Sequence, residues 1–135
     1  MSAVRFREAT ENDVGLILQF IRELADYEKM LSEVVATEEL LREWIFEKQK
    51  AEVIFALEDG KEVGFALFFY NFSPFLGKCG IYLEDLFVHP EYRGRGHGKA
   101  LIRELARLPE EIRLSAARRE PSRMNTYATN VANAF

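Results

Sequence analysis

An apolar run from Ile81 to Val88 passes through His89-Pro90-Glu91-Tyr92 into Arg93-Gly94-Arg95-Gly96-His97-Gly98-Lys99. No other stretch limits the fold of this chain as strongly. Glycines at alternate positions admit positive φ and let a ligand approach the backbone closely. Leu101, Ile102, Leu105 and Leu108 then recur at helical spacing, and Pro109 stops the helix. The order is therefore strand, glycine turn, helix. The first N–H groups of a helix lack internal partners and bind anions. Arg93, Arg95, Lys99 and Arg103 concentrate positive charge here, in a chain whose net charge is -4. Together these features predict a diphosphate site.

Other phosphate sites fit less well. A P-loop requires glycine, four residues, then Gly-Lys-Ser/Thr. Here Ala100 follows Gly98-Lys99, and Arg93 stands where the first glycine belongs. The dinucleotide fingerprint sits at the first strand of a βαβ unit, whereas this turn comes late. An incidental surface turn would not explain the strand before it, which is apolar except for Glu84 and Asp85. Carboxylates within an apolar strand are seldom buried unless paired. They are either an ion-paired core element or part of a site.

The remaining elements follow from periodicity. Val4 to Arg7 alternates as a short strand. Thr10 caps a helix whose stripe runs through Val14, Ile17, Leu18, Ile21, Leu24 and Ala25 to Tyr27-Glu28. A second helix starts at Thr37, with Leu40, Leu41, Trp44 and Ile45 expected to face inward. Val53 to Leu57 and Val63 to Tyr70 flank Asp59-Gly60 and predict a β-hairpin. Asn71 to Gly80, with Ser73-Pro74, Gly77 and Gly80, is expected to be a loop. Ile112, Leu114 and Ala116 suggest a weak strand. The chain of 135 residues suits a single domain, 1–135.

Composition excludes several classes of function. The acidic balance argues against nucleic acid as a partner. No apolar run approaches the ~20 residues that span a bilayer, and the N-terminus has no signal-peptide pattern, so no membrane role is expected. Cys79 is the single cysteine, which excludes an internal disulfide and suits a reducing, cytoplasmic setting. No metal site is expected.

The turn Arg93-Gly94-x-Gly96-x-Gly98 after Phe87-Val88 resembles the acetyl-CoA signature of the GCN5-related N-acetyltransferase (GNAT) superfamily. Ile21 to Met30, Tyr82-Leu83-Glu84-Asp85 and Phe75-Leu76-Gly77-Lys78 resemble the diamine (spermidine/spermine) acetyltransferases and their bacterial relatives. The likeness covers roughly residues 4–108, and 109–135 diverge. It implies an α/β fold: a mixed, mostly antiparallel sheet flanked by helices on both faces. It implies an N-acetyltransferase that moves acetyl from acetyl-CoA to a primary amine of a small molecule, without an acyl-enzyme. The amine is a diamine, a polyamine or an amino-acid-like amine.

By the same resemblance, the backbone of Leu86, Phe87 and Val88 binds the pantetheine arm. Arg93, Gly94, Arg95, Gly96, His97, Gly98 and Lys99 form the pyrophosphate turn, His97 through its backbone rather than as a base. Tyr27, Glu28, Glu84 and Asp85 surround the amine. Chemistry agrees on Glu84. An alkylamine with pKa near ~10.4 must lose a proton before it attacks a thioester, and a carboxylate can hold the cation and accept that proton.

The sequence departs from the diamine enzymes in two places. Ser73 and Phe75 stand where the mammalian enzymes carry an acid and a Trp. Beyond Leu108 there is no Trp-Asn motif and no Phe-Tyr pair; Tyr127 is the one tyrosine left. The composition shift predicts an incomplete C-terminal part, from a truncated or altered reading frame. An uncovered sheet edge would then favour a homodimer. The alternative function is a non-catalytic acyl-CoA-binding or regulatory module.

Overall fold

The computed structural model describes residues 4–107. The weak strand around 112–116, the divergent C-terminal part, Tyr127 and the last apolar position of the turn helix lie outside the described residues.

Strands β1 (Arg5–Glu8), β2 (Glu52–Glu58), β3 (Lys61–Ser73) and β4 (Lys78–Val88) form one sheet in the order β1-β2-β3-β4, antiparallel at every step. Helices α1 (Val14–Tyr27) and α2 (Glu38–Leu41) lie on one face, and α3 (His97–Ala106) lies on the other. This is the expected α/β fold with helices on both faces of a mostly antiparallel sheet; among the described residues every strand pair is antiparallel.

Side-chain alternation builds the two cores. Val53, Phe55 and Phe65 point to the α1 face, where they meet Ile17, Phe20 and Leu24. Phe20 stacks on Phe65 with ring centroids 5.1 Å apart. Ile54, Ala56, Ala66 and Phe68 point the other way, onto Leu101 and Leu105 of α3. Each fully buried ring or branched chain contributes roughly 1.5–3 kcal/mol. Arg7 donates to Asp13 and to Glu62, so one guanidinium ties β1, the start of α1 and β3 together.

Asp59 and Gly60 both have positive φ, at 53° and 79°, which is the type I′ geometry that suits the twist of a tight hairpin. Three expectations need correction. The first strand is shifted by one residue, to Arg5–Glu8. The stretch Asn71 to Gly80 is not a loop. β3 and β4 continue pairing to Ser73↔Lys78, and the turn is only Pro74 to Gly77. Phe72 and Tyr70 alternate with inward positions there, and ladder hydrogen bonds outweigh the local turn signals of Asn71 and Gly80. Ser73 is buried, and its Oγ accepts from the Leu76 N–H at 3.2 Å to close that turn.

The third correction concerns the second helix. After Leu41 it continues as a π-helical segment, Arg42–Glu47. The wider turn shifts the inward face to Leu41, Ile45 and Phe46, leaving Leu40 and Trp44 exposed. The Trp44 ring instead carries the Lys48 ammonium at 4.1 Å.

Gly64 fixes how closely β3 and β4 approach. A Cβ there would sit 3.0 Å from the Phe87 carbonyl oxygen and 3.1 Å from Val88 Cγ2. Gly64→Ala is expected to destabilise the fold by about 1–3 kcal/mol. Urea denaturation checks this, and an unchanged midpoint contradicts it.

Candidate active site

At the end of β4, Pro90–Tyr92 forms a single 3-10 turn and the chain enters the glycine segment. Gly94 and Gly96 have φ of 80° and 88°, so both need glycine's freedom. Gly96 is the N-cap of α3, and no side chain caps that helix start. Its carbonyl takes the first helical hydrogen bond, from Ala100 N at 3.0 Å. Among the described residues, the N–H groups of His97, Gly98 and Lys99 are thus the first-turn donors without a helical partner, beside the exposed Lys99 side chain. This arrangement can receive an anion.

Upstream, β4 carries a β-bulge. Leu67 pairs with Asp85 while Phe68 pairs with Leu83, so Glu84 is the extra residue. The parity of burial confirms it. Ile81 and Leu83 face α3, and so do Leu86 and Val88. The two residues between Leu83 and Leu86 therefore share the opposite face, toward α1. A regular strand would send one of them to each side. The bulge is why Glu84 and Asp85 stand together, near Glu28 at the C-cap of α1.

Burial pushes the Asp85 carboxyl up to about 7 from the model-compound value of 3.8, with Glu84 and then Glu28 adding repulsion. Three acids in one place make a cluster suited to a cation. The shift also sets a pH dependence. The proton is held more tightly in the folded chain, so the stabilisation is complete below about pH 4 and is lost as pH rises through about 7. Asp85→Asn is therefore expected to stabilise the protein at pH 8, by at most roughly 4 kcal/mol, with the gain shrinking toward pH 4. Urea midpoints of the two proteins at pH 8 and pH 5 test this; equal gains at both contradict it.

Tyr27 is half exposed and meets the Phe87 ring edge-on at 6.5 Å. It is neither core nor free surface, because the Arg93 guanidinium lies over its ring at 4.4 Å. Arg93 Nε also donates to the Val88 carbonyl at 2.9 Å. Arg93 thus points back along β4 and joins the turn to the end of α1. His89 stacks on Phe20 at 4.8 Å, with Nδ1 3.3 Å from the Glu23 carboxylate.

His97 does more than supply backbone. Its ring is buried, and Nε2 lies 2.9 Å from Glu58 Oε1. The carboxylate can only accept, so Nε2 carries the hydrogen. Arg95 Nη1 donates to the other oxygen of the same carboxylate. His97 and then Arg95 hold the Glu58 carboxyl below its usual range. Sequence reasoning missed Glu58. It lies 37 and 39 residues from its partners, and nothing local marks it apart from its place before the Asp59-Gly60 turn. Ser73 closes a turn and Phe75 is fully exposed, so neither adds charge to the acid cluster. Among the described residues no group of His, Cys, Asp or Glu is placed to hold a metal, and no helix is long and apolar enough to cross a membrane.

The fold and the uncapped turn define an α/β protein that presents a helix start to an anion after the end of β4 and an acidic cluster further back along the same strand. Residues 18–128 match the Acetyltransferase (GNAT) family. The chain is 41% identical over 115 residues to the thialysine N-epsilon-acetyltransferase of Bos taurus, covering 78% of this chain and 67% of that protein. It is 28% identical to an L-ornithine N5-acetyltransferase of Arabidopsis thaliana, covering 86% and 70%. Among solved structures, a ribosomal-protein-alanine N-acetyltransferase from Brucella melitensis superposes with TM-score 0.68 at 25% identity, over 94% of this chain and 89% of that one. The chain belongs to the GNAT family and is an N-acetyltransferase. The fold is also similar to that of a predicted acetyltransferase from Clostridium acetobutylicum solved with acetyl-CoA, with TM-score 0.65 at 18% identity over 93% of this chain and 88% of that one.

Proposed function

We propose that this protein transfers the acetyl group of acetyl-CoA to the side-chain amine of a small amino-acid-like substrate or short diamine. The observation that carries this is the bulge of β4, which gathers Glu84 and Asp85 on the face where α1 brings Glu28. The names of the bovine and Arabidopsis relatives, which place acetyl on a side-chain nitrogen, support the substrate class.

The residues divide the work along β4. The turn Arg93 to Lys99 receives the pyrophosphate on the open N–H groups of α3. The backbone of Leu86, Phe87 and Val88 pairs with the pantetheine arm, which lies as an added strand. The four residue steps from Glu84 to Val88 span at most about 13 Å of strand, which separates thioester from phosphates. Asp85, Glu28 and Tyr27 surround the ammonium group. Glu84 accepts the proton, and the free amine attacks the thioester carbonyl directly. The C–N bond forms, the C–S bond breaks, and the proton shed by the newly acylated nitrogen goes to the departing CoA thiolate. Backbone N–H groups of β4 face the developing oxyanion.

A thiol-release assay with acetyl-CoA tests this, using thialysine, lysine, ornithine, putrescine and spermidine as acceptors. Turnover is expected with at least one amino acid or short diamine, and weakest with spermidine, since Ser73 and Phe75 add no acid. Tight CoA binding with no turnover on any acceptor would instead identify a non-catalytic binding module.

A further inference from the structure

The Glu58 carboxylate is engaged at both oxygens by side chains on either side of Gly96. Nε2 of His97 lies 2.9 Å from Oε1, and Arg95 Nη1 lies 2.5 Å from Oε2. The inner half of this contact is enclosed, with side-chain exposures of 2% for His97 and 12% for Glu58. The outer half is open, with Arg95 at 52%. The Arg95 guanidinium also lies 5.1 Å from the Tyr92 ring centroid, and Lys61 reaches the same ring at 5.7 Å. Glu58 is anchored at the end of β2, where it pairs with Lys61 across the type I′ hairpin.

Arg93 ties the entry of the turn to the Val88 carbonyl and the Tyr27 ring, which leaves the backbone from Gly94 to Gly96 as the part still to be held. Among the described residues, Gly94 and Gly96 have no neighbour within 4 Å of where a side chain would begin, so no side-chain packing at these two positions restrains the turn. Glycines lose much conformational freedom when ordered. A turn that must aim three N–H groups at one ligand needs an outside brace.

We propose that Glu58 is a positioning residue, which holds the turn Arg93 to Gly98 in its anion-receiving form by gripping His97 from within and Arg95 from outside. This rests on the reading of that turn as the pyrophosphate site. The sign of the effect separates it from simple electrostatics. A carboxylate beside a diphosphate repels it, so on charge alone removing Glu58 tightens binding. The brace predicts weaker binding.

The test is calorimetric titration of the full chain with CoA, for the parent, Glu58→Ala, Glu58→Gln and Gly96→Val. Glu58→Ala is expected to weaken CoA binding about tenfold, the effect of roughly 1.4 kcal/mol of lost positioning. Glu58→Gln, which keeps an acceptor for His97, is expected to recover part of the loss. In kinetics the change falls on the KM for acetyl-CoA rather than on kcat. It is at least fivefold smaller with acetyl-pantetheine, which has no pyrophosphate; a general loss of structure would affect both donors alike. Unchanged or tighter CoA binding by a folded Glu58→Ala chain overturns the proposal. So does equal loss with both donors. If Gly96→Val also binds CoA like the parent, the pyrophosphate reading of the turn has failed. If Gly96→Val loses binding and Glu58→Ala does not, only the role of Glu58 has failed.

Discussion

Gly96→Val is expected to weaken CoA binding by roughly 10- to 100-fold while leaving the chain folded. The residue has φ of 88°, and among the described residues no atom lies within 4 Å of where its Cβ would stand. The effect acts through the backbone alone. A residue with a Cβ costs about 1–2 kcal/mol in the left-handed region, and a β-branched one more. The chain escapes by rotating φ to negative values. That rotation turns the plane of the peptide leading into His97 and spoils the convergence of the first-turn N–H groups of α3. Titration with CoA gives the loss of affinity, and far-ultraviolet circular dichroism shows whether the fold persists. Parent-like affinity in a folded variant would mean that the phosphates bind elsewhere.

Glu84→Gln is expected to lower kcat/KM for the amine by about 10²- to 10⁴-fold near neutral pH. The amide keeps the size of the side chain and its place in the bulge but cannot take a proton. The loss should shrink as pH approaches the amine pKa near ~10.4, where free amine no longer needs a base. Asp85 is also relieved of a neighbouring charge, so its carboxyl titrates lower than the value of about 7 it has beside Glu84. A pH–rate profile on parent and variant decides the matter. Parallel profiles at all pH values would leave Glu84 a binding group only and assign the proton transfer to water or another residue.

Much of this site could be read along the chain because its parts are contiguous. Strand, carboxylates, glycine turn and helix start lie within one segment, and each has a local physical signal: alternation, charge in an apolar run, glycine at alternate positions, helical period. The hairpin at Asp59-Gly60 was legible for the same reason. The extent of the β3–β4 hairpin was not. Asn71 and Gly80 carry turn signals, but a partner strand supplies ladder hydrogen bonds that outweigh them. The exposed Trp44 was hidden too, because a switch to π-helix changes the period on which an inward-facing stripe is counted.

The sequence by itself determined that a glycine turn begins a helix after a strand bearing Glu84 and Asp85, since these depend on short-range sterics and periodicity. Only the tertiary structure decided where those side chains point. The bulge opposite Leu67 and Phe68 puts both acids on one face, and a register defect depends on the partner strand as much as on its own residues. Tertiary structure also decided that the turn is held by Glu58, drawn from a different hairpin. Electrostatic contact needs proximity in space, and no local pattern records which distant residue the fold will bring near.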